Sequence, residues 1–206
     1  MKKLAVMVSG GGTNLQAVID AIAAGEIEGK IVLVLSNKAG VYALERAKKA
    51  GIPTAIVEKK NYADKAAFDA AVLKELKDRE VEGIILAGYM AILDEKLVHE
   101  FRNRIINIHP SLIPSFCGMG YYGRHVHEAV LQYGAKLSGA TTHFVDEQAD
   151  TGPIIMQAAV PVLDDDTPET LAARVLEQEH RILPQSVALF CKDKLQVQGR
   201  RVKILD

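Results

Sequence analysis

The sequence predicts an α/β protein with a doubly wound, mostly parallel sheet. Short continuous apolar runs, of which residues 4–8 and 31–35 are the first two, alternate with stretches of helical periodicity. Continuous apolar runs are typical of strands buried on both faces of a parallel sheet, and the intervening helices supply the crossovers. A glycine-rich turn follows the first run directly, at the strand end where such folds place ligands.

The predicted elements follow one another without an internal repeat or a linker, so we expect a single domain over residues 1–206. Strands are predicted at 4–8, 31–35, 53–57, 83–87 and 105–109, with helices at 15–24, 41–50, 64–79 and 94–100 between them. A loop rich in Gly, Pro and aromatic residues at 113–123 then precedes a helix at 125–133, strands at 140–145 and 153–162, a helix at 167–189 and a terminal hairpin at 195–205.

Composition excludes several classes of protein. The 25 Lys and Arg residues nearly balance the 26 Asp and Glu residues, which gives no overall attraction to nucleic acid or to an anionic membrane. Cys117 and Cys191 lie far apart and have no metal-type spacing, which is typical of a reducing compartment. No N-terminal run resembles a signal peptide, and no run approaches the ~20 residues that span a bilayer. We expect a soluble cytoplasmic protein without nucleic-acid or membrane partners.

The predicted strand at 105–109 is apolar except for two polar residues in its second half. Asn107 and His109 are two positions apart, so both project from the same face of a strand, and Pro110 ends regular pairing directly after them. Burying an amide or an imidazole without a partner costs about 1–3 kcal/mol. Both side chains can donate hydrogen bonds to a developing oxyanion, so the pair is a candidate catalytic site. The alternative is a pair of satisfied core residues.

The glycine-rich turn at 9–14 favours a single phosphate group as its ligand. Gly10 and Gly12 begin a dinucleotide fingerprint, but Leu15 stands where a third glycine belongs, and no Gly-Lys-Ser/Thr of a Walker loop follows. The remaining groups are backbone N–H groups and the Thr13 hydroxyl at a helix N-terminus, which suit a phosphate monoester. The alternative is a glycine turn that serves only close packing of strand and helix.

An acidic loop at 146–152 supplies a candidate carboxylate. A carboxylate near an imidazole favours the protonated ring or carries protons through water. Spacing alone favours the alternative, a solvated turn between two strands. No metal site is predicted, because the acidic run at 164–166 has no nearby His and because His125 and His127 are not placed as a pair of ligands.

Five segments resemble the folate-dependent family of phosphoribosylglycinamide formyltransferases, also called glycinamide ribonucleotide transformylases. They occur in the family's order, and their combination is specific although each alone is common: 9–16, 87–90, 106–114, 143–145 with 150–153, and 178–180. The resemblance runs from about residue 3 to residue 196. It implies the formyltransferase fold, with an N-terminal mononucleotide-binding half, and transfer of a formyl group from the cosubstrate 10-formyltetrahydrofolate to the amine of glycinamide ribonucleotide in purine synthesis.

The resemblance also implies roles for individual residues. Asn107, His109 and Asp150 match the catalytic positions, with Asn107 and a protonated His109 donating to the oxyanion and Asp150 favouring that protonation. The positions that match the substrate-binding residues are Gly11, Gly12, Thr13, Asn14 and Glu179. The positions that match the folate pocket are Lys65, Met90, Ala91, Ile92, Leu93, Asn107, Asp146 and Asp150. No metal is implied.

The chain departs from some relatives at two of these positions, and three other functions stay open. Some relatives carry Arg where this chain has Lys65 and Ala91, and a lysine offers the folate glutamate tail a point charge rather than a fork. Methionyl-tRNA formyltransferase shares the Asn-x-His motif but adds a nucleic-acid-binding domain. A 10-formyltetrahydrofolate hydrolase would need neither a phosphate loop nor Glu179. A non-catalytic nucleotide-binding module is the third alternative. A monomer and a homodimer are equally compatible with the sequence.

Overall fold

The computed structural model describes residues 1–206, which form nine strands and six α-helices. The strands are β1 (Lys2–Val8), β2 (Gly29–Ser36), β3 (Thr54–Ile56), β4 (Gly83–Leu86), β5 (Ile105–His109), β6 (Leu137–Phe144), β7 (Ile154–Pro161), β8 (Leu195–Gln198) and β9 (Arg201–Ile204). The helices are α1 (Thr13–Ala23), α2 (Tyr42–Lys49), α3 (Lys65–Asp78), α4 (Glu95–Glu100), α5 (Arg124–Tyr133) and α6 (Pro168–Cys191). None of the helices is long and apolar enough to cross a membrane.

The chain forms two compact units, and the first, Met1–Ile106, is the parallel α/β half. Its strands lie in the order β3-β2-β1-β4, and β5 begins beside β4. The pairs β1–β2, β1–β4 and β2–β3 are all parallel. The order reverses between β1 and β4, which is the switch point where doubly wound sheets bind ligands. Because helices cover both faces, β1 is buried from Leu4 to Val8.

The second unit, Asn107–Asp206, mixes parallel and antiparallel pairing. The end of β5 lies beside β6, and the remaining order is β7-β9-β8. Strand β6 pairs antiparallel with β7, β7 pairs parallel with β9, and β8 and β9 form a hairpin. The long helix α6 begins at a capping box made by Thr167 and Thr170, with Pro168 in its first turn.

The predicted fold class is confirmed. The predicted elements are present, and their observed bounds differ from the predicted ones by no more than a few residues. The largest difference is in β6, which begins at Leu137 rather than at 140. Gly139 explains the earlier start, because a Cβ there would lie 2.0 Å from the carbonyl oxygen of Ala158 on the paired strand. A glycine often marks the end of a strand in sequence patterns, but here Gly139 lies within β6 and lets β6 and β7 approach closely.

Candidate active site

The glycine-rich loop between β1 and α1 presents backbone donors on an exposed surface. Gly12 occupies the N-cap position of α1 in the left-handed conformation (φ 74°), and no side chain caps the helix. The first turn of α1 contains no acidic residue. Gly11 and Thr13 are exposed. A helix N-terminus with free N–H groups and a positive dipole end is suited to an anion.

Ser9, at the end of β1, ties the loop to two other strand ends at the switch point. Its hydroxyl donates to Asn37 Oδ1 at 2.6 Å and accepts from the backbone N–H of Met90 at 2.8 Å. Asn37 follows β2, and Met90 follows β4. The hydroxyl is thus used to hold the loop in place.

The residues matched to a folate pocket in the first unit lie after β4. Met90 and Ile92 are exposed, with relative accessibilities of 46% and 62%, whereas Ala91 and Leu93 are half-buried. Two neighbouring exposed apolar side chains are a surface on which an apolar ligand can pack. The ammonium group of Lys65 lies 2.5 Å from Asp69 and 3.9 Å from Asp94, so its charge is already shared with two carboxylates.

The second unit brings Asn107, His109 and Asp150 together. Asp150 Oδ2 lies 3.5 Å from His109 Nδ1, and Asp150 Oδ1 accepts from Asn107 Nδ2 at 3.4 Å. The other imidazole nitrogen of His109, Nε2, donates to the carbonyl oxygen of Phe116 at 2.9 Å. The backbone N–H of Gly118 donates to Asp150 Oδ2 at 2.9 Å. The side chains of His109 and Asp150 are 5% and 15% exposed, so this is a largely dry polar cluster.

A fourth side chain, His143 of β6, completes this cluster and was not predicted as a site residue. Its Nδ1 donates to the carbonyl of Phe144 at 2.8 Å, which leaves Nε2 as an acceptor in the neutral ring. Asn107 Nδ2 lies 3.1 Å from that Nε2, so the amide must direct its N–H groups toward His143 and Asp150. His143 therefore fixes which way the Asn107 amide points. The signals in the sequence were a histidine within an otherwise buried strand and its place at the start of the family-like segment 143–145.

The ionisation of the cluster differs from the expectation in one respect. Burial lowers the pKa of His109 below its usual value, and this outweighs Asp150 and the Phe116 carbonyl, which both raise it. The imidazole is therefore neutral near pH 7 in the free protein, against the expectation that Asp150 keeps it protonated. Burial raises the pKa of Asp150, but His143, His109 and the Gly118 N–H together lower it below its usual value, so its carboxylate is ionised.

The loop that carries Asp150 is not the solvated turn that spacing alone favoured. Asp150 has a left-handed backbone (φ 56°), and its carboxylate is directed into the cluster. A Cβ at Gly152 would lie 1.7 Å from the carbonyl oxygen of Phe144, so only glycine permits the loop to return this close to β6. Asp146, matched to the folate pocket, instead accepts from the Thr151 hydroxyl at 2.6 Å and braces the loop.

A network of hydrogen bonds holds the segment that follows β5. The buried hydroxyl of Thr141 donates to the carbonyl of Ser111 at 2.6 Å and accepts from the backbone N–H of Ile113 at 3.1 Å. Gln157 donates to the same hydroxyl at 3.0 Å and to the carbonyl of Ile113 at 2.9 Å. This network positions the start of the loop whose Phe116 carbonyl and Gly118 N–H contact the cluster.

Two further polar residues of the second unit are buried in helices. Glu179, matched to the ribose-binding position, lies in α6 and is 8% exposed. His127, in α5, is 4% exposed, and its Nδ1 has no hydrogen-bond partner. Burial lowers the pKa of His127, and the neighbouring His109 lowers it further. No pattern in the sequence indicated that His127 lies near His109.

These features define a class of protein: a doubly wound α/β protein with a glycine-rich loop suited to an anion and a buried amide–imidazole–carboxylate cluster suited to oxyanion chemistry. The formyl transferase family model matches residues 2–187 of the chain. The chain therefore belongs to the formyl transferase family of enzymes.

Relatives within this family extend the comparison. The chain is 43% identical to phosphoribosylglycinamide formyltransferase of Haemophilus influenzae, over 96% of this chain and 91% of that protein. It is 48% identical to the trifunctional purine biosynthetic protein adenosine-3 of Drosophila pseudoobscura pseudoobscura, over 94% of this chain. The chain spans only 14% of the length of that protein.

Solved structures agree with the fold. Glycinamide ribonucleotide transformylase 1 of Symbiobacterium toebii superposes with a TM-score of 0.95 at 44% identity, covering 100% of this chain and 95% of that one. A formyltetrahydrofolate deformylase of Pseudomonas syringae superposes with a TM-score of 0.90 at 28% identity, covering 100% of this chain and 66% of that one. The fold is thus shared by structures named for formyl transfer and for formyl removal.

Proposed function

We propose that this chain is a phosphoribosylglycinamide formyltransferase, built as one formyltransferase domain over residues 1–206. It transfers the formyl group of 10-formyltetrahydrofolate to the amine of glycinamide ribonucleotide, a step of purine biosynthesis. The observation that carries the proposal is the buried cluster of Asn107, His109 and Asp150, in which two donors and one ionised carboxylate meet. The names and identities of the relatives supply the substrates.

The chemistry proposed for the cluster is direct attack. The substrate amine bonds to the formyl carbon, which gives a tetrahedral intermediate with a negative oxygen, and the bond from that carbon to N10 of the folate then breaks. Asn107 donates to the negative oxygen, and His109 donates to it through Nε2 in place of its contact with the Phe116 carbonyl. The 3.4 Å contact between Asn107 and Asp150 is long and weak, so this N–H is the one that turns to the oxyanion, while the 3.1 Å contact to His143 keeps the amide in place.

The proposed proton transfers begin from a free protein in which His109 is neutral. A developing oxyanion adds a second negative charge to that of Asp150, and both raise the pKa of His109, so the imidazole takes up a proton from solvent as the tetrahedral intermediate forms and returns it to solvent when the intermediate collapses. The amine loses a proton after attack and N10 gains one before it leaves. Asp150, ionised in the free protein, accepts the proton of the amine through water and returns it toward N10. No covalent enzyme intermediate is required.

The residues proposed to bind each substrate group are assigned one group at a time. We assign the phosphate of glycinamide ribonucleotide to Gly11, Gly12, Thr13 and Asn14, whose N–H groups surround the start of α1. We assign the ribose hydroxyls to the carboxylate of Glu179. We assign the folate to the exposed apolar residues Met90 and Ile92 with Ala91, Leu93 and Asp146, and its glutamate tail to Lys65. The protein acts in the cytoplasm on small molecules, as a monomer or homodimer, without metal, nucleic acid or membrane.

The test is a spectroscopic assay of folate deformylation with and without glycinamide ribonucleotide. A transferase consumes 10-formyltetrahydrofolate only when the ribonucleotide is present, and formylated product accumulates in equal amount. Release of free formate in the absence of the ribonucleotide would contradict the proposal and identify a hydrolase.

The hydrolase is the second candidate because the Pseudomonas syringae deformylase shares the fold. Water would then replace the amine as nucleophile at the same cluster. The exposed, uncapped glycine-rich loop argues against this reading, since a hydrolase has no phosphate monoester to bind. Binding of glycinamide ribonucleotide without any consumption of folate would instead indicate a non-catalytic nucleotide-binding module.

A further inference from the structure

Helix α2 packs against the glycine-rich loop through three consecutive residues of that loop. The backbone N–H of Ala43 donates to the carbonyl of Gly10 at 3.1 Å. Arg46 Nε donates to the carbonyl of Gly11 at 2.8 Å. A Cβ at Gly12 would lie 2.6 Å from the Cβ of Ala43, so the loop and the helix touch directly. The loop therefore has a helical support on the side of its carbonyl groups.

The guanidinium group of Arg46 is fixed from three directions. In addition to Gly11, it donates through Nη1 to Gln16 Oε1 of α1 at 3.2 Å, and it stacks over the ring of Tyr42 with its Cζ 4.9 Å from the ring centre. A planar group with donors in a fixed fork can satisfy these contacts together, whereas an ammonium group cannot. Arg46 thus joins the loop, α1 and α2 in one arrangement.

The direction of the carbonyl groups decides where the loop's donors point. In a trans peptide the C=O and the following N–H point in opposite directions. Because the carbonyls of Gly10 and Gly11 face α2, the N–H groups of Gly11 and Gly12 point away from it. Those two N–H groups are among the donors assigned to the phosphate, and a bond to the charged guanidinium holds the second peptide more firmly than a neutral donor would.

We propose that Arg46 is a positioning residue for the phosphate of the substrate. It acts through the Gly11 carbonyl rather than by contact with the ligand, keeping the loop's N–H groups aimed at a phosphate monoester and adding a positive charge behind them. The inference rests on the proposed function for the identity of the substrate. Its own content, that a side chain on α2 sets the affinity of the loop for phosphate, does not require any turnover.

The experiment compares Arg46→Met with Lys49→Met. Lys49 lies on the same helix, donates to the Tyr42 hydroxyl at 3.4 Å and stacks over the same ring, but it forms no hydrogen bond with the loop. Both variants lose one positive charge and keep a long side chain, so the comparison isolates the contacts of Arg46 with Gly11 and Gln16. Arg46→Lys is the third variant, because it keeps the charge and loses the fork. Thermal unfolding of each variant establishes that it is folded.

The first measurement is binding of ribose 5-phosphate by isothermal titration calorimetry. We expect Arg46→Met to raise the Kd about tenfold, the loss expected for a charge-assisted hydrogen bond that aims the donors, while Lys49→Met binds as the parent chain does. Arg46→Lys is expected to weaken binding as well. Equal affinities for Arg46→Met and Lys49→Met, or an Arg46→Lys variant that binds like the parent chain, would overturn the inference.

The second measurement separates positioning from general damage. Arg46→Met should raise KM for glycinamide ribonucleotide with little change in kcat, and should leave kcat/KM for glycinamide riboside, which has no phosphate, unchanged. An equal loss for both substrates would mean that Arg46 is merely structural. If the parent chain forms no formylated product but Arg46→Met still weakens ribose 5-phosphate binding, the proposed function fails and the inference stands.

Discussion

The glycine-rich loop and the Asn107 cluster differ in the chemical groups that they present to a ligand. The loop is built from main-chain N–H groups at the start of α1, on residues with almost no side chain. The cluster is built from side chains. His109, His143 and Asp150 surround the Asn107 amide, and the polar contacts among these four side chains measure 3.1 to 3.6 Å. In the function proposed above, the first binds a charge that is already present, whereas the second stabilises a charge that exists only during the reaction.

The comparison teaches where each region is vulnerable. A site made of main-chain N–H groups is disrupted mainly when the backbone moves. The backbone of the loop is most constrained at Gly12, because an added Cβ there would meet Ala43. A side-chain site fails when one donor is removed, although the fold around it stays intact. The predictions below separate these two modes of failure.

The largest expected effect is loss of turnover on removal of one oxyanion donor. Asn107→Ala and His109→Ala should each lower kcat by about 10²- to 10³-fold, because each removes a donor to the tetrahedral oxygen. Steady-state kinetics with saturating folate and glycinamide ribonucleotide measures this. His125→Ala is the matched control, since His125 is an exposed histidine that contacts Glu128 instead. Near-normal kcat in both cluster variants would remove the cluster from the mechanism.

The second expected effect is on stability and falls on the loop. Gly12→Ala should lower the free energy of unfolding by about 1–3 kcal/mol, because the new Cβ meets Ala43 and because φ is positive there. Gly10→Ala is the control, since no atom lies within 4 Å of its added Cβ and its φ is not positive. Urea denaturation compares the two. A Gly12→Ala variant as stable as Gly10→Ala would mean that α2 shifts freely and does not constrain the loop.

The smallest expected effect is a pH dependence of stability that arises from the buried histidines His109 and His127. His109 and His127 both have a pKa lowered by burial, so the unfolded chain binds protons more readily than the folded one. Their contribution to stability is complete above the usual histidine pKa of about 6.5 and is lost as the pH falls below it. Asp150 has a lowered pKa as well, but its contribution is lost only at much lower pH, as the carboxylate becomes protonated.

Chemical denaturation between pH 7.5 and 5.5 tests this dependence. His127→Gln should flatten the decline of unfolding free energy across that range, because the buried imidazole no longer has to stay neutral. His125→Gln should leave the slope unchanged. An unchanged slope in His127→Gln would show that its burial does not penalise the charged ring.

Site residues could be predicted from the sequence where a single element shows the pattern. They could not be predicted where the site depends on contacts between distant elements. Asn107 and His109 were predictable, because their spacing on a strand places both on one face. The position of Asp150 came from resemblance alone, since its loop has the composition of a solvated turn and only the close return at Gly152 turns its carboxylate inward. His143 and His127 were missed, because their neighbours come from distant parts of the chain.

The segment after β5 has a consequence for how this protein can diverge. Phe116 and Gly118 reach the cluster only through a carbonyl oxygen and an N–H group, and Thr141 secures the beginning of the segment through main-chain atoms of Ser111 and Ile113. Main-chain atoms carry these contacts. Side chains such as that of Phe116 can therefore be exchanged while the contacts stay, whereas Gly118 is constrained by its positive φ of 89° and by the N–H group that it donates.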